Sequence, residues 1–239
     1  MTSSLRDLKV YTTYPHTCSY LKDQEATTLF VDPRQAVDQL LYSRLSHMGF
    51  RRSGNHIYRP HCGRCNACVP ARIPVHQFEP NRAQRRTWAR NADLRVVRTE
   101  DIRDEAAYDL YYHYIEQRHA DGDMYPPDRE QYHSFLNNAW DCTRYYRFYA
   151  GERLLAIAVV DVLIDGLSAI YTFFEPAEER RSLGSYAILW QIAQAREMGL
   201  EYLYLGYWIR NCDKMAYKAV YRPLELYTDS QWQTPASRS

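Results

Sequence analysis

The chain has 239 residues, 46% of them hydrophobic, which is enough for one large or two small domains with real cores. The net charge is only +1, and no apolar run approaches the ~18 residues of a membrane span, which excludes a helical membrane protein. The polar start MTSSLRDLKV is no secretory signal, so a cytoplasmic protein is expected, in which six cysteines favour metal binding or burial over disulfides.

In chain order, DPRQAVDQLLYSRLSHMG predicts a helix with Asp32 as cap, Pro33 at its first position and Gly49 as the stop. FRRSGNHIYRP then predicts a hairpin turning at Ser-Gly-Asn, and it delivers the chain to PHCGRCNACVPAR. There Cys62, Cys65 and Cys68 stand three residues apart, a spacing for one metal ion or cluster, but one ligand short of four. ARIPVHQF reads as extended, and a helix over 81–91 places Arg82, Arg85, Arg86 and Arg90 on a shared face. Residues 51–98 hold eleven arginines against Glu79 and Asp93, the footprint that a nucleic-acid backbone attracts. Residues 99–130 reverse the sign, with ten acids against three arginines. A first, basic, cysteine-containing α/β domain is expected over 1–92, and a second over 93–239.

The second half predicts a strand at LRVVRTE and helices over 103–119 and 128–138. Three strands joined at Gly151-Glu152 and Asp165-Gly166 follow, then a helix closed by Gly199, the strand LEYLYLGYWI, a helix NCDKMAYKAVY and the strand LELYT. The class is α+β, and the order is that of the GNAT acyltransferase fold. At FFEPAEERRSLGSYAI a loop carries Arg180 and Arg181 into a helix N-terminus, where free N–H groups and the dipole favour phosphate. Arg181-x-x-Gly184 resembles the turn with which GNAT enzymes hold the pyrophosphate of coenzyme A. Tyr186 stands where that turn has Gly or Ala, which points to a different phosphate-bearing acyl donor.

Six strings are more specific: CSYL (18–21), GFRRSGNHIYRPHCGRCNACVPARIP (49–74), NRAQRRTWARNADL (81–94), RHADGDMYPP (118–127), YTFFEPAEERRSLGSYAILWQI (171–192) and YLGYWIRNCDKMAYK (204–218). Together they resemble the aspartate/glutamate leucyltransferases, the bacterial branch of the arginyl-tRNA–protein transferase family. The resemblance implies transfer of leucine from leucyl-tRNA to the α-amine of proteins that begin with Asp or Glu. Those proteins are thereby marked for N-degron degradation through a downstream adaptor. No cofactor is implied for the transfer, because an aminoacyl ester is already activated and positioning supplies up to ~7–11 kcal/mol.

Within that reading Cys18 is the expected fourth thiol beside Cys62, Cys65 and Cys68. Four sulfurs suit tetrahedral zinc or an iron–sulfur cluster, and sulfur alone does not decide between these or metal-free reduced thiols. Eukaryotic relatives are associated with an iron–sulfur cluster in the corresponding domain, at a different cysteine spacing. Cys142 and Cys212 are expected in the core of the other half. An acidic acceptor side chain asks for arginine, so Arg51, Arg52 and Arg72 are candidates, framed by Tyr20 and Tyr58. Asp121, Asp123 and His119 are expected to handle the amine, and a base need only deprotonate an ammonium of pKa ~8. Arg180, Arg181, Gly184, Lys214, Lys218, Arg82, Arg85 and Arg86 are expected at the tRNA. The alternatives are a coenzyme A-dependent N-acetyltransferase with a zinc-stapled extension, and a non-catalytic RNA-binding or redox-sensing protein.

Overall fold

The structure, a computed structural model, describes residues 8–122, 124–136 and 141–235. The N-terminal part runs through β1 (Val10–Thr12), β2 (His16–Thr17), β3 (Glu25–Ala26) and β4 (Thr28–Val31) to helix α1 (Gln39–His47), then β5 (Arg51–Ser53), β6 (His56–Pro60) and β7 (Val69–Pro74). Helix α2 (Arg82–Arg90), β8 (Arg95–Thr99), α3 (Glu105–Arg118) and α4 (Arg129–Leu136) follow. After them come β9 (Thr143–Ala150), β10 (Arg153–Val162), β11 (Gly166–Phe174), α5 (Leu183–Glu197), β12 (Tyr202–Trp208), α6 (Asp213–Ala216), β13 (Glu225–Thr228) and β14 (Gln231–Gln233). Among the described helices none is long and apolar enough to cross a membrane.

Local chemistry explains most boundaries. Helix α1 begins six residues later than its sequence predicts, because Asp38, not Asp32, caps it by accepting from Leu41 N at 2.7 Å. Asp32 is occupied elsewhere, accepting from the backbone and side chain of Arg34, which holds its carboxyl down at about 2. Helix α2 carries a full capping box between Asn81 and Gln84. The β5–β6 turn needs Gly54, whose φ of +55° favours glycine. The last predicted helix is a short α6 followed by a 3-10 turn over Tyr217–Val220. Residues 137 and 138 of the predicted fourth helix lie outside the described residues.

Strands β8, β9, β10 and β11 pair as sequential antiparallel neighbours. They form one half of an eight-stranded sheet ordered β14-β13-β7-β12-β11-β10-β9-β8, beside a four-stranded sheet β1-β4-β6-β5 and the β2–β3 pair. Strand β10 is buried on both faces: Ala156, Ala158 and Val160 pack with Tyr186, Ala187 and Ile192 of α5, while Ile157 and Val159 pack with Leu110 and Tyr111 of α3. Strand β7 sits inside the large sheet between β12 and β13, so that sheet does not stop at residue 92 as the sequence suggests. The apolar run ARIP makes β7 an interior strand, with Ala71 and Ile73 in the main core.

Candidate functional site

Parallel pairing between β11 and β12 covers only Gly166↔Tyr202, Leu167↔Leu203 and Ser168↔Tyr204. Beyond it β12 bulges between Tyr204 and Gly206 and continues on β7, while β11 continues on β10. The two strands therefore diverge and leave backbone groups facing a wedge. Arg51, from β5 of the other sheet, reaches into it. Its Nη2 donates to Ala169 O at 2.5 Å and its Nη1 to Ser168 Oγ at 2.8 Å, with Tyr204 O at 3.5 Å. Gly206, at φ +78°, lies beside the guanidinium, and a Cβ there would stand 3.4 Å from Arg51 Nε. Tyr171 OH and Trp208 Nε1, on the diverging segments, are buried without a hydrogen-bond partner among the described residues.

The 3-10 turn after α6 packs against β12 and adds a second cation. Lys218 is 3% exposed, and its Nζ meets Met215 Sδ at 3.4 Å. Burial, and then the charge of Arg51, push its pKa down to about 8, with Cys212 acting in the opposite direction. Tyr217, next to it, feels Arg51 as well and is an electrostatic neighbour of Tyr114 on α3 and of Tyr221, whose hydroxyl bonds Ser185 at the start of α5. Tyr114 OH in turn lies 3.2 Å from His119 Nε2. Burial, then Lys214, lower the pKa of His119, which makes a neutral imidazole its form at pH 7. Asp121 accepts twice from Lys214, at 2.9 and 2.8 Å, and this partner lowers its pKa. Asp123 lies outside the described residues.

Two of the three acceptor arginines are built into the fold instead. Arg52 closes a fork on Asp161, Nε to Oδ2 at 2.6 Å and Nη2 to Oδ1 at 2.8 Å, with both side chains 0% exposed. Tyr42 and Thr143 add donors to the same carboxylate. Arg72 pairs with Glu225 at 2.6 Å and is stacked between Tyr202 and Trp232, its Cζ 3.5 and 4.4 Å from their ring centroids. Strand positions on interior faces forced these side chains inward, and each found a carboxylate there.

Arg181 is likewise engaged: both Nη atoms bond Asp93, at 2.8 and 2.9 Å, and Glu178 lies at 3.4 Å. Arg90 and Asn91 of the basic helix hold the carbonyls of Arg180 and Arg181. Ser182 then enters α5 in the left-handed region at φ +52°, and Gly184 packs its bare Cα toward the Phe174 ring. Arg82, Arg85 and Arg86 remain exposed on α2, and Arg85 Nη1 donates to Pro80 O.

The four-thiol centre is not assembled as the sequence suggests. Among the described residues no group of three or more His, Cys, Asp or Glu side chains is placed to hold a metal ion. The thiols are nevertheless neighbours. Burial first, then Cys18, Cys62, Cys65 and Cys212, push Cys68 up to about 12, so it is a neutral thiol. Cys212 thus belongs to this cluster, a correction to its expected core position, whereas Cys142 is core. Tyr20 and Tyr58 are electrostatic neighbours of Cys68, and Tyr58 is the cross-strand partner of Arg51.

The structure therefore brings together Arg51, Tyr58, Tyr20, Cys68 and Lys218, and connects them through Tyr217 and Tyr114 to His119. Sequence reasoning missed Tyr217, Gly206, Ser168 and Cys212. The string KMAYK contains the first of these, but with 22 tyrosines in the chain nothing singled it out. An opening of about 140 Å³ at Val31, Asp32, Pro33, Asn55 and Ile57 is lined by none of these side chains.

Residues 16–86 match the sequence model described as arginine-tRNA-protein transferase, N terminus, and residues 106–228 that described as its C terminus. The chain belongs to the arginine-tRNA-protein transferase family. It is 60% identical over 230 residues to the aspartate/glutamate leucyltransferase of Pseudomonas fluorescens (strain Pf0-1), covering 96% of this chain and 98% of that one. To the protein of the same name from Pseudomonas aeruginosa (strain UCBPP-PA14) it is 58% identical, with the same coverage. Among solved structures it is similar to L-PGS from Bacillus licheniformis, at a TM-score of 0.47 and 8% identity, over 60% of this chain and 47% of that one.

Proposed function

We propose that this chain transfers the leucyl group of leucyl-tRNA to the α-amine of proteins that begin with Asp or Glu, which in a cytoplasmic setting hands them to an N-degron adaptor. The observation that carries this reading is the near-full-length identity to curated leucyltransferases. The architecture supports it: helices on both faces of a sheet whose parallel strands part company is the GNAT-like arrangement for an acyl donor. The exposed arginines of α2 suit the tRNA backbone, and Lys214 lies on the same side of the chemistry as His119.

In this reading the amine attacks the ester carbonyl, the ribose oxygen leaves, and one proton moves from nitrogen to that oxygen. His119 is the base we favour, since its imidazole is neutral and able to accept a proton and Tyr114 OH lies 3.2 Å from its Nε2. Asp121 attracts the incoming ammonium, because its bond to Lys214 is solvent-exposed and open to exchange. Asp123 is proposed as a second carboxylate of the same loop. The thiol cluster is proposed as a staple of the N-terminal part, outside the transfer chemistry.

A coenzyme A donor is less well served, since Arg181 is engaged by Asp93 and Tyr186 is packed against Trp88 and Phe148. Incubation with labelled leucyl-tRNA, arginyl-tRNA or acetyl-CoA and a peptide beginning with Asp tests the donor. Label from leucyl-tRNA alone is expected, and label from acetyl-CoA alone would overturn the proposal.

A further inference from the structure

We propose that Arg51 and Lys218 together seat the side-chain carboxylate of the acceptor's first residue, making Lys218 a specificity-determining residue rather than a donor contact. This rests on the transferase reading and names the half of the site that reads the acceptor. The observation behind it is a charge imbalance. Every other buried cation among the described residues has a carboxylate: Arg52 has Asp161, Arg72 has Glu225, and Arg147 has Asp104. Arg51 is 8% exposed and bonds only neutral oxygens, and Lys218 is 3% exposed with a thioether as its hydrogen-bond partner. Neither has a carboxylate partner among the described residues. Two buried like charges that lower each other's stability call for an anion, and the protein supplies none.

Arg51 keeps a donor for one. Arg51 Nε has no hydrogen-bond partner among the described residues, and Gly206 borders it, where a Cβ would come into contact with Nε at 3.4 Å and Nη2 at 3.7 Å. Tyr58 and the buried Tyr207 are electrostatic neighbours of the cation, and burial strengthens a charge-assisted bond made there. Depth favours a carboxylate on a short stem over a phosphodiester, which carries a bulky ester on either side. An amide in the same seat would bring an NH2 toward two cations and leave both charges uncompensated, so Asn and Gln are rejected.

The test is direct binding to the full chain, without turnover, of peptides labelled at their C-terminal end and beginning with Asp, Glu or Asn, beside leucyl-tRNA binding. The wild type is expected to prefer Asp over Asn by ~10-fold or more. Lys218→Met should weaken the Asp peptide ~10-fold, close the gap to Asn, and leave leucyl-tRNA affinity within about two-fold. Lys218→Arg should restore part of the preference, and Lys218→Gln serves if the Met variant does not fold. Loss of leucyl-tRNA binding with the Asp-over-Asn preference intact would overturn the proposal and make the pair a phosphate seat. Unchanged peptide binding in all variants would overturn it too. A wild type that binds Asp peptides selectively yet transfers no leucine would instead contradict the transferase reading alone.

Discussion

Arg51 donates from Nη2 to the carbonyl oxygen of Ala169 at 2.5 Å, one residue past Ser168, the last residue through which β11 pairs with β12. An arginine of one sheet thereby supplies the hydrogen bond that the neighbouring strand of the other sheet withdraws. The guanidinium is fixed by the strands it separates, and a fixed donor loses little freedom when it meets a ligand.

Gly206→Ala tests how open that guanidinium is. The residue sits at φ +78°, where an L side chain costs ~1–2 kcal/mol, and the new methyl would cover Arg51 Nε at 3.4 Å. A lowered melting temperature and a raised KM for the acidic peptide are expected, with KM for leucyl-tRNA unchanged.

Lys218→Met should be more stable than the wild type while poorer at binding acceptor. Burial and Arg51 depress the ammonium from 10.5 to about 8, which below pH 8 costs the folded state up to about 3 kcal/mol. Between about 8 and 10.5 the unfolded chain holds the proton and the folded chain does not, so wild-type stability gains as pH rises. The groups acting on Lys218 are Arg51 and Cys212, and the variant removes the titrating group itself. Urea unfolding at pH 7 and pH 9.5 should therefore show the difference between the two proteins shrinking at the higher pH. A constant difference would mean that the lysine is not the titrating group.

Asp161→Asn separates the fold from the chemistry. It leaves Arg52 buried without its counter-ion, a change that typically costs 3–5 kcal/mol, ~2 decades or more in the folding equilibrium. The Asp-over-Asn preference of the molecules that remain folded should persist, as measured by binding below the unfolding midpoint.

Much of the architecture was legible in advance. The strand order from β8 to β11 followed from Gly-containing turns and alternating apolar residues, which are local signals. The start of α1 was misread because Asp32-Pro33 and Asp38 both look like caps, and only the bond to Arg34 decides between them. The site was less legible. Arg51, Arg52 and Arg72 look alike in sequence, and what separates them is whether a carboxylate more than a hundred residues away arrives beside each one. Cys212 joined the thiols for the same reason: only tertiary packing brings α6 to the cysteine hairpin.

For the double variant Arg85→Ala/Arg86→Ala, the exposed face of α2 should read out in salt dependence. Each phosphate contact contributes about 0.9 to the slope of log affinity against log salt, so loss of two should flatten it by ~1.8. An unchanged slope would place the tRNA on another surface.

The central claim is most directly tested by one measurement: mass spectrometry of a folded protein beginning with Asp, after incubation with this chain, leucyl-tRNA and acetyl-CoA together. Fragmentation should locate a single added leucine on its α-amine, with the Asn-starting counterpart unmodified. An acetyl group at that position, or leucine added equally to both proteins, would contradict the account.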